Sequence, residues 1–172
     1  MSENITINLE GLSNEEREQL LRLIEKSKRP KKIWKPECGE WYWFIDSDGQ
    51  INNCEWVDDH IDWGRYSMGD CFRTEEEAEF TRGKQIIKTE LQRFADEHND
   101  PDKEKWDGEN VHYYIGHDAI KDDLTVTPAA ILRGIYGIYF TSKEIAEDAA
   151  NKIGVKRIMK YLFDVDCEVD EC

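Results

Sequence analysis

The sequence predicts an α+β fold: an N-terminal strand and helix, then two degenerate modules, each a three-stranded antiparallel sheet plus one helix. Three observations carry this. Short segments alternate apolar and polar residues with period two and end in Gly, Asp or Asn turns, as half-buried strands do. Longer segments repeat apolar residues every three or four positions and open on Ser/Thr-x-x-Glu boxes, as capped amphipathic helices do. The order of these signals then recurs: Ile45 is echoed by Ile115 after 70 positions, and Phe72 by Phe140 after 68.

Taken in order, residues 1–28 hold a strand and a helix. Ile5, Ile7 and Leu9 alternate along one strand face. Ser13 and Glu16 form a capping box that opens a helix with Leu20, Leu21, Leu23 and Ile24 as its apolar stripe. A helix of about four turns is marginal alone. Its stripe, with Ile5, Ile7 and Leu9, is therefore a candidate surface for joining copies of the chain. Residues 29–36 are a basic linker; between 26 and 35 the chain carries six cations in ten residues, with prolines at 30 and 36.

The first module spans 37–98. Trp41, Trp43 and Ile45 share one strand face, and Tyr42 and Phe44 share the other. Asp46 to Gly49 make a turn, Ile51 to Trp56 return, and a third strand is expected from about Arg65 to Arg73. Thr74 and Glu77 then cap a helix to about His98, with Phe80, Ile87, Leu91 and Phe94 on one face. One helix covers one sheet face, so part of the aromatic set is expected to stay exposed. Residues 99–107 link to the second module, 108–163, whose helix carries Ile145, Ala146, Ala149, Ala150 and Ile153 and is capped by Gly154. Residues 164–172 are an acidic tail.

Of the 172 residues, 39% are hydrophobic and 35% charged, but 11% are aromatic, which argues for small cores built on large rings rather than for disorder. The net charge of −15 is uneven: residues 1–36 hold 8 Lys/Arg against 6 Asp/Glu, and the remainder 15 against 32, or −17. Such a body repels nucleic acid and suits a basic protein partner. No apolar run approaches 18 residues, so no membrane-spanning helix is expected. The first residues lack the regions of a signal peptide, and five scattered cysteines fit a reducing cytoplasm.

The strings GEWYWFIDSDGQI, GDCFRTEEEAEF, ELQRFADEHND and IYFTSKEIAEDAANKIGVKRIMKYLF resemble a family of small proteins encoded by phages and prophages of Gram-positive bacteria. The resemblance runs from the basic linker to Phe163. It implies an accessory protein acting in the cytoplasm of an infected cell, similar in character to inhibitors of host defence, anti-CRISPR proteins among them. A second similarity is topological, to sheet-reading DNA-binding domains. Those present Arg and Lys on the sheet, whereas these strands offer Trp41, Tyr42, Trp43, Phe44, Asn52, Asn53 and Glu55.

Motifs for reaction chemistry do not stand out. Cys54 with His60, His112 with His117, and Cys167 with Cys172 are too loosely spaced for structural zinc. The Asp46 turn puts Gly fourth and Val57 twelfth, against a calcium loop. Neither a Gly-x-Ser-x-Gly elbow nor a Walker loop occurs. No catalytic residue, metal or cofactor is assigned. The leading expectation is a non-enzymatic inhibitor that grips a basic host protein, such as a defence nuclease or effector. Trp56, Asp58, Asp59, Asp62, Trp63, Glu75 and Glu76 are its expected contacts. The alternatives are a homo-oligomeric sequestrant of a signalling nucleotide and a nucleic-acid binder. The sequestrant would use Arg29, Lys31, Lys32, Trp34 and Tyr66; the nucleic-acid binder would use the 26–35 segment.

Overall fold

A computed structural model describes Ser13 and residues 16–20, 34–134 and 137–165. It is a mixed helix and sheet structure, as expected, but its sheets are smaller than expected. Strand β1 (Trp41–Ile45) pairs antiparallel with β2 (Ile51–Glu55), and β3 (His112–Asp118) with β4 (Asp123–Ala129). Helix α1 is His60–Met68, α2 is Glu75–His98, α3 is Lys143–Ile153 and α4 is Val155–Phe163. The expected N-terminal strand and most of the stripe (Ile5, Ile7, Leu9, Leu23, Ile24) lie outside the described residues. The Ser13–Glu16 box is formed, residues 16–20 are helical and Leu20 is half-buried.

The third strand of the first module is a correction. Residues 60–68 fold as α1, and only Phe72 pairs with the sheet, exchanging both backbone hydrogen bonds with Trp43 at 2.9 Å. The second module repeats this economy: Phe140 exchanges two 2.8 Å bonds with Tyr113. Two residues after each bridge a hydroxyl caps the next helix. Thr74 Oγ1 accepts from the Glu77 amide, and Ser142 Oγ from the Ile145 amide. The alanines four residues on, Ala78 and Ala146, are both fully buried.

Helix α1 arose from signals that resemble strand composition. Gly64 weakens helix propensity, and Ile61, Trp63 and Tyr66 suit strands. Its ends are nevertheless well specified. Asp59 accepts from the Ile61 and Asp62 amides, Asp62 reaches back to the Asp59 amide, and Gly69 closes the helix at φ 74°.

The first core consists of Tyr42, Phe44 and Trp56, with Trp34, Cys54, Tyr66 and Cys71 around them. The second is larger: Ile87, Leu91, Phe94 and Ala95 of α2 pack with Phe140, Ala146, Ala149, Ala150, Ile153 and Ile158. Helix α2 also runs along β1 and β2, so both halves share it. The break at residues 99–107 is tied down rather than free-running: Asn99 Nδ2 donates to the Tyr139 carbonyl, and the Asp100 amide donates to Thr141 Oγ1. At the α2–α4 crossing a Cβ on Gly83 would fall about 2.2 Å from the Tyr161 ring, so that glycine is what lets the helices meet.

Candidate functional site

The chain leaving β2 turns the expected contact residues in opposite directions. Trp56 is only 1% exposed and belongs to the core, so it is not a surface anchor. Asp62 is also buried. It accepts the Tyr42 phenol proton at Oδ1 (2.7 Å) and the Val57 amide at Oδ2 (2.8 Å). Burial opposes its charge, but the hydrogen bonds from Tyr42, Val57 and Asp59 outweigh it and hold the carboxyl below its usual range. Its role is to fasten α1 to the hairpin. A partner protein would not reach it.

Arg65 extends the same network: one Nη1 lies 3.0 Å from Tyr42 Oη and 3.2 Å from Cys54 Sγ. Its guanidinium sits 3.4 Å from the centroid of Phe44. Burial raises the Tyr42 phenol above its ordinary range, aided by the hydrogen bond with Cys54. Burial and then the Asp70 charge push the Cys71 thiol up to about 11. Both groups are thereby held uncharged at neutral pH, and Asp62 and Arg65 satisfy the phenol. A pair poised for acid–base or nucleophilic work would show the opposite trend. Among the described residues no group of three or more His, Cys, Asp or Glu side chains is placed to hold a metal ion.

What remains outside is a ledge between β2 and α1. Val57, Ile61 and Trp63 are 58%, 49% and 46% exposed, interleaved with exposed Asp58 and Asp59. Asp58 stands at φ 62°, and its Oδ1 accepts both the Trp56 and the Trp63 indole protons at 3.3 and 3.1 Å. Trp41, 61% exposed and opposite Glu55 in the register, adds a further ring on the hairpin. Glu75 and Glu76 are exposed in the first turn of α2, where a negative charge complements the helix dipole. The periodicity alone could not give this outcome, because it depends on a helix that starts at His60, where none was expected.

Trp34 and Tyr66 come together, lining one open cleft of about 650 Å³ with Met68, Cys71 and Glu77. Arg29, Lys31 and Lys32 lie outside the described residues. Lys35, the last cation of the basic segment, folds back onto the Trp63 ring. No helix among the described residues is long and apolar enough to cross a membrane. No family model, curated protein or solved structure matches the chain.

Proposed function

We propose that this chain is a non-enzymatic, phage-encoded inhibitor of a bacterial host defence system. It binds a basic nucleic-acid-binding protein through the ledge of Val57, Asp58, Asp59, Ile61 and Trp63. The observation that carries this reading is the ledge itself: three large apolar side chains stand in solvent among carboxylates, on a body of charge −17. Apolar anchors ringed by like charges suit a partner with a complementary basic rim. The anchors supply affinity, and the charges supply encounter rate and discrimination. Glu75 and Glu76 widen the acidic field at the start of α2. The test is co-elution with a basic defence effector and loss of that effector's activity. Replacing Val57, Ile61 and Trp63 by Glu is expected to abolish both. Retention of both by the triple variant would overturn the proposal.

A second reading has one observation in its favour: Trp34 and Tyr66 line the same cleft, as two stacking platforms for a base would. On that reading the chain sequesters a small signalling nucleotide, with Arg73, whose guanidinium lies 5.5 Å from the Trp34 centroid, as a cation beside the ring. Thermal melting with a panel of cyclic nucleotides decides it; a cleft that binds nucleotide raises the melting temperature with at least one of them.

A further inference from the structure

The Lys35 ammonium lies 3.9 Å from the centroid of the Trp63 ring and 4.9 Å from that of Trp56. The two indoles meet edge to face, with centroids 5.6 Å apart and planes at 73°. Tyr66 stands edge-on to both, at 6.3 Å from Trp56 and 6.1 Å from Trp63, with interplanar angles of 87° and 90°. The ammonium thus lies over both indoles, in the corner between two rings set steeply to one another. A cation in such a corner meets more than one ring face, which is how quaternary ammonium groups are recognised.

Two further features favour a cation here. Asp58 Oδ1 accepts both indole N–H groups, so one carboxylate fixes the two rings and adds its negative potential behind them. It does so from φ 62°, in the left-handed region that aspartate enters more readily than most residues. The choice made by Lys35 is the second feature. In a chain with 38 Asp and Glu residues, its ammonium is directed at ring faces, and among the described residues no carboxylate forms an ion pair with it. Simple coverage of Trp63 would need only the aliphatic stem laid on the ring.

We infer that the corner formed by Trp56, Trp63 and Asp58 is a receptor for an organic ammonium group. Lys35 is its occupant in the free chain, and a lysine of the basic partner displaces it. The partner's identity rests on the inhibitor reading above; the receptor does not. Lys35 thereby acts as a built-in competitor: the partner must offer its cation together with contacts to Val57 and Ile61 before exchange is favourable. Only a ligand that engages the whole ledge then gains access.

The test uses the full chain and tetramethylammonium chloride as the probe, read by the indole N–H resonances of Trp56 and Trp63. Sodium chloride holds ionic strength constant, and tert-butanol serves as a neutral control of similar size. Lys35→Ala vacates the corner by removing the side chain beyond Cβ. It is expected to give saturable shifts and to bind the probe about 5-fold more tightly than the native chain, the ratio that a competing contact of about 1 kcal/mol implies. Adding Trp63→Leu to Lys35→Ala is expected to abolish the shifts, and circular dichroism verifies that each variant is folded. The receptor is overturned if the vacated chain binds the probe no better than the native one, or if tert-butanol moves the same resonances equally. No partner protein is in the sample, so a null titration leaves the inhibitor reading to its own co-elution test. A saturable titration in a chain that retains no defence effector sinks the inhibitor reading alone.

Discussion

Placed side by side, the hairpins Trp41–Glu55 and His112–Ala129 begin from one plan. Each gains a single bridging phenylalanine, a hydroxyl cap two residues later and a buried alanine four residues beyond the cap. Their surroundings then differ. Behind the first hairpin, α1 covers the Tyr42 and Phe44 face and α2 runs along the strands. The second places Tyr113, Ile115, Leu124 and Val126 against its core, while Tyr114 and Thr125 on the other face stay exposed. The position held by Tyr42 in the first is held by His112 in the second. Tyr42 is hydrogen-bonded to Asp62 and Arg65, with Cys54 beside them. His112 stacks on Trp106 at 4.0 Å and bonds the Glu104 carbonyl through Nε2, and its buried Nδ1 is without a partner among the described residues. A repeated backbone plan therefore does not carry its side-chain chemistry with it: Tyr42 finds its partners in the helix after β2, and His112 in the segment before β3.

The largest expected effect tests the bridges. Phe72→Ala and Phe140→Ala should each cost about 3–5 kcal/mol in urea denaturation. Phe140 should stand at the upper end because it sits in the larger core. If Phe72→Ala is nearly neutral, the two bridges are not equivalent.

Asp62→Asn comes next and touches only the first hairpin. It weakens charge-assisted bonds to Tyr42 and Val57 and should cost about 1.5–3 kcal/mol at neutral pH. The sign with pH follows from its lowered pKa. The native carboxylate contributes stability above the unfolded value of 3.8, and loses it as pH falls through the lower folded value. The native chain and Asp62→Asn should therefore converge in stability on acidification below about pH 4. A gap that stays constant to pH 2 would assign the loss to packing.

Thr74→Ala and Ser142→Ala should each cost about 1 kcal/mol, and nearly equally, if the caps are the same device used twice. The smallest effect belongs to His112→Phe. It removes an unpartnered buried nitrogen, keeps a ring on Trp106 and gives up one bond to Glu104. Its net effect should lie within about 1 kcal/mol of zero. A large loss would show that Nδ1 has a partner that matters.

Much of this fold was legible in the sequence because its signals are local. The Asp46–Gly49 turn closes with Gly49 at φ 75°, the Thr74 cap opens α2, and Gly154 ends α3. The Ile87, Leu91 and Phe94 stripe is buried as its spacing required. Helix α1 was not legible from composition, because the residues from about Arg65 to Arg73 read as a strand and those just before them gave no helical stripe. The Asp59 and Asp62 pair followed by Gly69 was the signal that could have found it. With α1 in place, Trp56 and Asp62 turn inward and Trp63 outward, which no alternation rule on residues 56–63 would give. The convergence of Lys35 on that corner depends on tertiary packing alone.

Helix α2 has 24 residues and so spans about 36 Å. Its first half borders one hairpin and its second half fills the core of the other. Gly83, near the middle, is where Tyr161 locks in. A beam shared in this way leaves neither half a private foundation. Cutting the chain at residues 99–107 would strand the apolar face of α2 on one fragment and its cover on the other. Slow amide exchange along α2 should accordingly report one melting event for the whole molecule, with no earlier release of either hairpin.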